Sequence, residues 1–131
     1  MEDEKEKEDI VQTNDKRGVC YLSTIPPRMD SIILRKMLSK RFEIERVYLE
    51  KENEAITRSR QKSKGGRKSV RYIEGWVEFA KKKDAKLAAL ALNNQLIGGK
   101  KRKNAFHDDR WSMRYLSGFK WYHLTEKLAY D

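Results

Sequence analysis

The sequence predicts an α+β fold in which a four-stranded antiparallel sheet carries two helices on one face. Residues 70–79 alternate in side-chain character with a period of two and are rich in Val, Ile and aromatic residues, as strands are. Residues 30–41 and 82–92 instead carry apolar side chains at helical spacing. The remaining strands are predicted at residues 18–25, 45–51 and 111–116. The resulting order, β-α-β-β-α-β, is that of the split βαβ arrangement.

The first predicted strand ends at Pro26-Pro27, where the chain can no longer donate ladder hydrogen bonds. Alternation points Cys20 and Leu22 toward the core and Tyr21 away from it. Cys20 is expected to act as a small buried apolar residue, because no histidine lies nearby in sequence to activate it. As the chain's single cysteine it forms no internal disulfide, which favours a reducing compartment.

Each predicted helix has one apolar stripe that would pack on the sheet. Asp30 and Ser31 are both suitable N-caps for the first helix. Its stripe consists of Ile33, Leu34, Met37 and Leu38. The stripe of the second helix consists of the smaller residues Ala85, Ala88, Ala89 and Leu92. Small side chains allow this helix to approach the sheet closely.

Residues 53–69 lack periodicity and are predicted to be a long flexible loop between two strands. Clustered Lys and Arg supply the electrostatic part of nucleic-acid binding, so this loop is a candidate phosphate-binding segment. A merely solvated loop or a nuclear-import signal are the alternatives. The candidate residues of the loop and its end are Arg58, Arg60, Lys62, Lys64, Arg67, Lys68 and Arg71. A second basic cluster consists of Lys100, Lys101, Arg102 and Lys103.

The charge of the chain favours an anionic partner. Its 131 residues, enough for one domain, carry a net charge of +10, although the first nine residues alone carry six acids and two lysines. Nucleic acid is the first candidate and an acidic membrane surface the second. Residues 1–17 are almost devoid of apolar side chains and are expected to be disordered. We expect a soluble, non-secreted protein, because neither a signal peptide nor an apolar run of membrane-spanning length is recognisable.

The strand at 70–79 has one face suited to a core and one suited to a flat ligand. Ile73, Gly75, Val77 and Phe79 would face inward, whereas Tyr72, Glu74, Trp76 and Glu78 would face outward. Exposed rings beside positive charge are what single-stranded nucleic-acid binders use. The candidate base-stacking residues are Tyr21, Trp76, Tyr72 and Tyr48.

Residues 118–131 are predicted to form a C-terminal helical extension with its own apolar side. Trp121, Leu124 and Leu128 fall at helical spacing, and Phe119 precedes them. These four residues are the candidate protein-binding residues. An alternative is that the extension or a partner covers the outer face of the sheet, so that Tyr21 and Trp76 anchor protein instead of RNA.

Catalysis has little support in the sequence. His107-Asp108-Asp109 is the one cluster that suggests a metal, but it lacks further His or Cys at ligand spacing. Gly65-Gly66 and Gly98-Gly99 lack the spacing of a phosphate-binding P-loop. We therefore expect no enzymatic activity, no metal and no cofactor.

Among folds with this order of elements, the sequence most resembles the RNA-recognition motif, which also explains an aromatic outer face. Residues 20–25 resemble its shorter strand motif, with Tyr21 at the aromatic position, and residues 72–79 resemble the longer one. Tyr72 stands where Lys or Arg is usual, and Glu74 where an aromatic is usual. The stacking surface is thus expected to be weaker or more selective than usual, because each stacked base contributes only about 1–3 kcal/mol.

Several runs together resemble the eighteen-S-factor/activator-of-basal-transcription family of RNA-recognition-motif proteins. The runs are Val19–Arg28, Gly75–Phe79, Trp111–Leu116, Phe119–Leu124 and Leu128–Tyr130. The resemblance covers residues 18–131 and includes Glu74. It implies a nuclear, nucleolar protein of the small-subunit processome that acts in early pre-rRNA cleavages. It also implies other processome proteins and a DEAD-box RNA helicase as partners. Similar proteins usually continue in a long charged helix, whereas this sequence ends at Asp131, so a partner site on that helix is expected to be absent or cut short.

The sequence leads to three functional hypotheses. The first is a non-catalytic RNA-binding ribosome-assembly factor, with residues 18–117 as its domain, that holds phosphates through basic residues and stacks bases on rings. The second is a protein-binding adaptor whose sheet is occluded and which touches rRNA only through basic loops. The third is a nuclear transcription co-regulator, which only the family name suggests.

Overall fold

The computed structural model describes residues 16–63, 70–99 and 103–130. The strands are β1 (Gly18–Leu22), β2 (Ile44–Lys51), β3 (Tyr72–Phe79) and β4 (Met113–Leu116). The helices are α1 (Ser31–Ser39), α2 (Glu54–Ser63), α3 (Lys82–Leu92) and α4 (Trp121–Tyr130).

The four strands form one antiparallel sheet in the order β2-β3-β1-β4. This order and the two helices α1 and α3 on one face define an RNA-recognition-motif fold, and the predicted fold class is confirmed. The main core lies between that face and the two helices. Its fully buried members include Cys20, Leu22, Leu34, Val77, Phe79, Ala85 and Ala88.

The predicted helices α1 and α3 form where their apolar stripes indicated. The Asp30 carboxylate caps α1 by accepting a hydrogen bond from the Ile33 amide at 2.8 Å. Leu34 and Leu38 of α1 are buried. The α3 helix packs closely against β1, since a Cβ built on Gly18 would lie 2.9 Å from the Ala85 Cβ and 3.0 Å from the Lys82 Cα.

The prediction of a continuous loop over residues 53–69 was wrong, because residues 54–63 form α2. This helix has no buried stripe, so the periodicity of its sequence does not reveal it. Local polar contacts stabilise it instead: the Asn53 side chain accepts from the Ala55 amide at 2.8 Å, and Glu54 lies in the first turn. Residues 64–69 of the predicted loop lie outside the described residues.

The side chains at the start of β3 do not face the sides of the sheet that strict alternation predicts. Glu50 pairs with Glu74 and Lys51 pairs with Tyr72, so a bulge leaves Ile73 as the extra residue. Ile73, expected inside, is 49% exposed, while Tyr72 packs against the main core. The placement of Tyr72 on the outer, ring-bearing face was therefore wrong.

The last strand is shorter than predicted. It begins at Met113 instead of Trp111, because Trp111 is hydrogen-bonded to the segment after α3. The Trp111 amide donates to the Gln95 carbonyl at 2.9 Å, and the Asn94 amide donates to the Trp111 carbonyl at 2.8 Å. The Trp111 ring is nevertheless buried in the main core.

Gly18→Ala should lower the free energy of unfolding by about 1–3 kcal/mol, because the added methyl meets the Lys82 backbone and the Ala85 side chain. Urea denaturation followed by circular dichroism measures this. The control Ile32→Ala, at a side chain that is 76% exposed, should change it by no more than about 0.5 kcal/mol. Equal stability of the two variants would contradict the close packing of α3 on β1.

Candidate nucleic-acid interface

The face of the sheet that is turned away from α1 and α3 carries a row of aromatic rings. In the strand registers, Tyr48 of β2 lies opposite Trp76 of β3, and Trp76 lies opposite Tyr21 of β1. The Tyr21 and Trp76 ring centroids are 5.4 Å apart, and those of Tyr48 and Trp76 are 6.0 Å apart. We call this surface the ring face. It brings together three of the four predicted stacking residues, and Tyr72 is the exception.

Helix α4 covers the middle of the ring face. Trp76 is only 6% exposed and Leu124 only 1%, and with Val19 they form a second hydrophobic core. The Lys127 ammonium lies 5.7 Å from the centroid of the Trp76 ring. While α4 is in this position, Trp76 offers no open ring to a base. Residues that complete this second core are Tyr21, Tyr48, Leu116, Phe119, Trp121 and Leu128.

The four candidate protein-binding residues thus have an internal partner. Phe119, Trp121, Leu124 and Leu128 all pack in the second core of their own chain. The Phe119 ring also lies 5.6 Å from the His123 ring. This arrangement agrees with the alternative interpretation of the sequence, in which the C-terminal extension covers the outer face of the sheet.

Two tyrosine hydroxyls of the ring face are hydrogen-bonded to carboxylates. The Tyr21 hydroxyl donates to Glu74 Oε2 at 2.5 Å, and the Tyr48 hydroxyl donates to Glu50 Oε2 at 2.6 Å. The hydrogen bond to Glu74 raises the pKa of Tyr21, and the one to Glu50 raises the pKa of Tyr48 to about 12. Glu50 and Glu74 are directly opposite in the register. Their adjacent charges disfavour an approaching phosphate.

A buried carboxylate lies at the other end of the ring face. Glu78 is 2% exposed, and its Oε1 lies 3.3 Å from Arg46 Nε and 3.6 Å from Arg17 Nη1. Burial raises the pKa of Glu78, and the two guanidinium groups oppose that shift. Arg17 also pairs with Glu45 at 3.5 Å. Arg17, which the sequence assigned to a disordered tail, therefore contributes to the folded domain.

Among the basic residues predicted to bind phosphate, several lie on or near α2. Arg58 and Lys62 are exposed on this helix, and Arg58 has only a weak contact of 3.4 Å to Glu54. A cleft of about 360 Å³ between α2 and the start of β3 is lined in part by Lys51, Arg58 and Arg71. Lys103 is exposed in the segment before β4. The remaining candidates, Lys64, Arg67, Lys68, Lys100, Lys101 and Arg102, lie outside the described residues.

Arg60 has a different role from the one predicted. Its Nη2 lies 2.9 Å from Glu52 Oε2, and the two side chains are only 16% and 10% exposed. The Thr57 hydroxyl donates to the same Glu52 oxygen at 3.0 Å. The hydrogen bond from Arg60 lowers the pKa of Glu52. Arg60 therefore anchors α2 to the end of β2 instead of pointing its charge outward.

Sequence reasoning did not identify Arg114 as a cation beside the ring face. Arg114 lies opposite Tyr21 in the register of β1 and β4 and is exposed. It lines an open depression of about 310 Å³ together with Tyr21, Ser23 and Asn93. The Ser23 and Ser112 hydroxyls are hydrogen-bonded to each other at the same place. The strand alternation of β4 could have identified Arg114, but this strand is too short and irregular for its phase to be clear from sequence.

Other kinds of site are not found in the described part of the chain. Within residues 16–63, 70–99 and 103–130, no three His, Cys, Asp or Glu side chains are grouped to hold a metal ion. His107 contacts Asp108, with 3.0 Å between Nε2 and Oδ2. Over the same residues, no helix is both long enough and apolar enough to cross a membrane.

The chain is similar to curated fungal proteins named Pre-rRNA-processing protein ESF2. It is 50% identical over 118 residues to the protein of Eremothecium gossypii, covering 90% of this chain and 37% of that protein. It is 50% identical over 114 residues to the Schizosaccharomyces pombe protein and 46% identical over 114 residues to the Saccharomyces cerevisiae protein. These two alignments cover 87% of this chain and 34% and 35% of the relatives. The family resemblance drawn from the motifs is confirmed, and the chain spans about a third of the length of these relatives.

Two further comparisons do not extend the family assignment. No family model matches the chain. The RRM domain of S. pombe Puf1 is a structural neighbour with a TM-score of 0.47 and 13% identity, covering 77% of this chain and 92% of that one. The fold follows from the strand order of the sheet itself.

Trp76→Ala should lower the free energy of unfolding by about 3–5 kcal/mol, because it empties the centre of the second core. The control Glu126→Ala, at an exposed position of α4, should change it by no more than about 0.5 kcal/mol. Urea denaturation compares the two variants. A loss of no more than about 0.5 kcal/mol for Trp76→Ala would mean that the ring is not covered, since exposed substitutions have effects of that size.

Glu78→Gln should gain stability relative to wild type as the pH rises from about 4.5 to 7, the range above the ordinary Glu pKa. Because burial raises the pKa of Glu78, the folded chain holds this proton more tightly than the unfolded chain does. The stability that the wild-type carboxyl contributes is present below its unfolded pKa and is lost as pH rises through its folded pKa. Glutamine has no such loss.

The measurement for Glu78→Gln is urea denaturation of both proteins at each pH. If the variant instead became relatively less stable at pH 7, Arg17 and Arg46 would outweigh burial. That result would contradict the assigned direction of the pKa shift.

Proposed function

We propose that this chain, a member of the eighteen-S-factor family over the residues that align, is a non-catalytic RNA-binding factor of small-subunit pre-rRNA processing. The relatives it matches carry the name of pre-rRNA-processing proteins. The fold is one that binds RNA in many proteins. The net charge of +10 supports an anionic partner.

We further propose that the chain holds RNA through its cations and not by stacking bases on the ring face. One observation carries this: Trp76 is only 6% exposed beneath α4. The carboxylates of Glu50 and Glu74 lie on the same face, hydrogen-bonded to Tyr48 and Tyr21. By contrast, Arg58 and Lys62 project from α2 into solvent. The contribution of the sheet to RNA binding is then small, as in the adaptor hypothesis.

The anchoring of α2 supports this role for its cations. The ion pair of Glu52 and Arg60 fixes the helix against the end of β2. A fixed helix loses less conformational entropy on binding than a loop does. Arg58 and Lys62 are four residues apart and therefore lie on the same side of the helix. They can approach neighbouring phosphates of one RNA backbone.

The family resemblance also suggests a cellular location and protein partners for this chain. It suggests action in the nucleus and nucleolus within the small-subunit processome, beside other processome proteins and a DEAD-box RNA helicase. The second core leaves Tyr122 half exposed on the outer side of α4, where a protein neighbour could bind.

Replacing both α2 cations, as Arg58→Ala/Lys62→Ala, should weaken binding to pre-rRNA fragments and reduce its salt dependence. Each lost phosphate contact lowers the slope of log affinity against log salt by about 0.7–0.9, so the double variant should lose about 1.5. Fluorescence anisotropy at several salt concentrations gives the slope. The matched control is Lys36→Ala/Lys40→Ala, at exposed cations in and just after α1. A slope unchanged from wild type in the α2 variant would refute the proposed contacts.

A second variant separates cation contact from base stacking. Tyr21→Leu keeps an apolar side chain in the second core but removes the ring. We expect no more than about a twofold loss of affinity for single-stranded fragments, whereas a stacked base would be worth about 1–3 kcal/mol. A tenfold loss with an unchanged salt slope would show that bases stack on the ring face after α4 is displaced.

A further inference from the structure

The solvent side of α3 carries an unusual combination of exposed leucines and lysines. Leu87 is 54% exposed and Leu90 is 85% exposed. They are three residues apart and hence neighbours on the helix surface. Lys83 and Lys86, each four residues before one of these leucines, are also exposed. Together these residues form a basic and apolar stripe, which we call the α3 stripe.

The α3 stripe suits an acidic segment that also carries apolar side chains. Exposed leucines contribute nothing to folding while they remain in water, and they would gain about 25 cal/mol for each Å² buried against a partner. The lysines select a partner of negative charge. Asp84 is the only acid in α3 and is half-buried in its first turn.

One segment of this chain has that composition. Residues 1–15 contain seven acids, two lysines and the adjacent apolar pair Ile10-Val11. They lie outside the described residues. Their net charge of −5 contrasts with the strongly basic remainder of the chain.

The position at which this segment joins the fold places it beside α3. Gly18, the first residue of β1, lies against the first turn of α3, where an added Cβ would be 3.0 Å from the Lys82 Cα. Gly18 pairs with Phe79, at the end of β3 far from Tyr72. The basic helix α2 lies at the Tyr72 end, about 20 Å away along a strand that rises about 3.3 Å per residue. Of the two basic helices α2 and α3, α3 is therefore the nearer to this junction.

The reach of the segment also fits. Ile10 lies six positions before Lys16, and this stretch spans up to about 20 Å when extended. Leu90 lies eight residues after Lys82, or about 12 Å along the helix axis. Ile10 and Val11 can thus reach both leucines.

We propose that residues 1–15 bind to the α3 stripe of their own chain. Their carboxylates pair with Lys83 and Lys86, and Ile10 and Val11 cover Leu87 and Leu90. The contact is independent of the proposed RNA function. It would leave the cations of α2 available to RNA while it covers the exposed apolar side chains of α3.

Paramagnetic relaxation tests this in the full chain. A spin label is attached to the thiol of Gln12→Cys, and Cys20 does not compete because it is fully buried and its pKa is raised to about 12 by burial. We expect selective loss of amide signal across residues 82–92. The loss should disappear in Leu87→Ser/Leu90→Ser and in Lys83→Glu/Lys86→Glu. It should persist in the control Ile32→Ser, which changes an exposed apolar residue of α1.

Three results would overturn the proposal. Signal loss centred on α2 and the start of β3 would place the segment on the other basic surface. Signal loss spread evenly, or none, would mean that the segment does not dock. Loss that also occurs when labelled ¹⁴N chains are mixed with unlabelled ¹⁵N chains would assign the contact to a second copy. A thermal melt of each variant confirms that its fold is retained.

Discussion

The burial of Trp76 between its neighbouring tyrosines and helix α4 is the contact on which the arrangement of this domain depends. Tyr21 and Tyr48 lie on either side of the Trp76 indole, and Leu124 of α4 packs in the same cluster. The sheet thus has a hydrophobic core on each face, one beneath α1 and α3 and one beneath α4. The surface that would bind bases in an open sheet is used for packing, so the RNA binding proposed above would depend on the charged periphery.

The ring face carries charges of both signs. Carboxylates occupy the ring face, where Glu74 and Glu50 accept from the tyrosine hydroxyls and Glu78 lies between two arginines. Arg46, Arg114 and Lys127 lie on or beside the same face. Further exposed cations lie on α2, which follows the end of β2, and on the α3 stripe. Acids thus complete the polar contacts of the covered surface, while the excess positive charge remains accessible to an anionic partner.

The accuracy of the sequence predictions depended on which force holds each element. The limits of α3 agree with those predicted, because its alanines pack on the sheet and leave a clear period. Sequence reasoning missed helix α2, because this helix is stabilised by the Asn53 cap and the Glu52–Arg60 ion pair. Neither contact produces a helical spacing of apolar residues in the sequence. Tyr72 was assigned to the wrong face of the sheet, because the alternation of side chains in the sequence does not reveal a β-bulge. The apolar side of α4 was predictable from its spacing, but what that side would contact was not.

The most direct test of this account is the contact between Trp76 and Leu124 in solution. Nuclear Overhauser effects between the Trp76 indole protons and the Leu124 methyl groups should be present in the free chain, since both side chains are almost fully buried in one cluster. They should persist when a saturating pre-rRNA fragment is added. Their disappearance on RNA addition, with new contacts from the indole to bases, would contradict the account and restore the ring face as the RNA-binding surface.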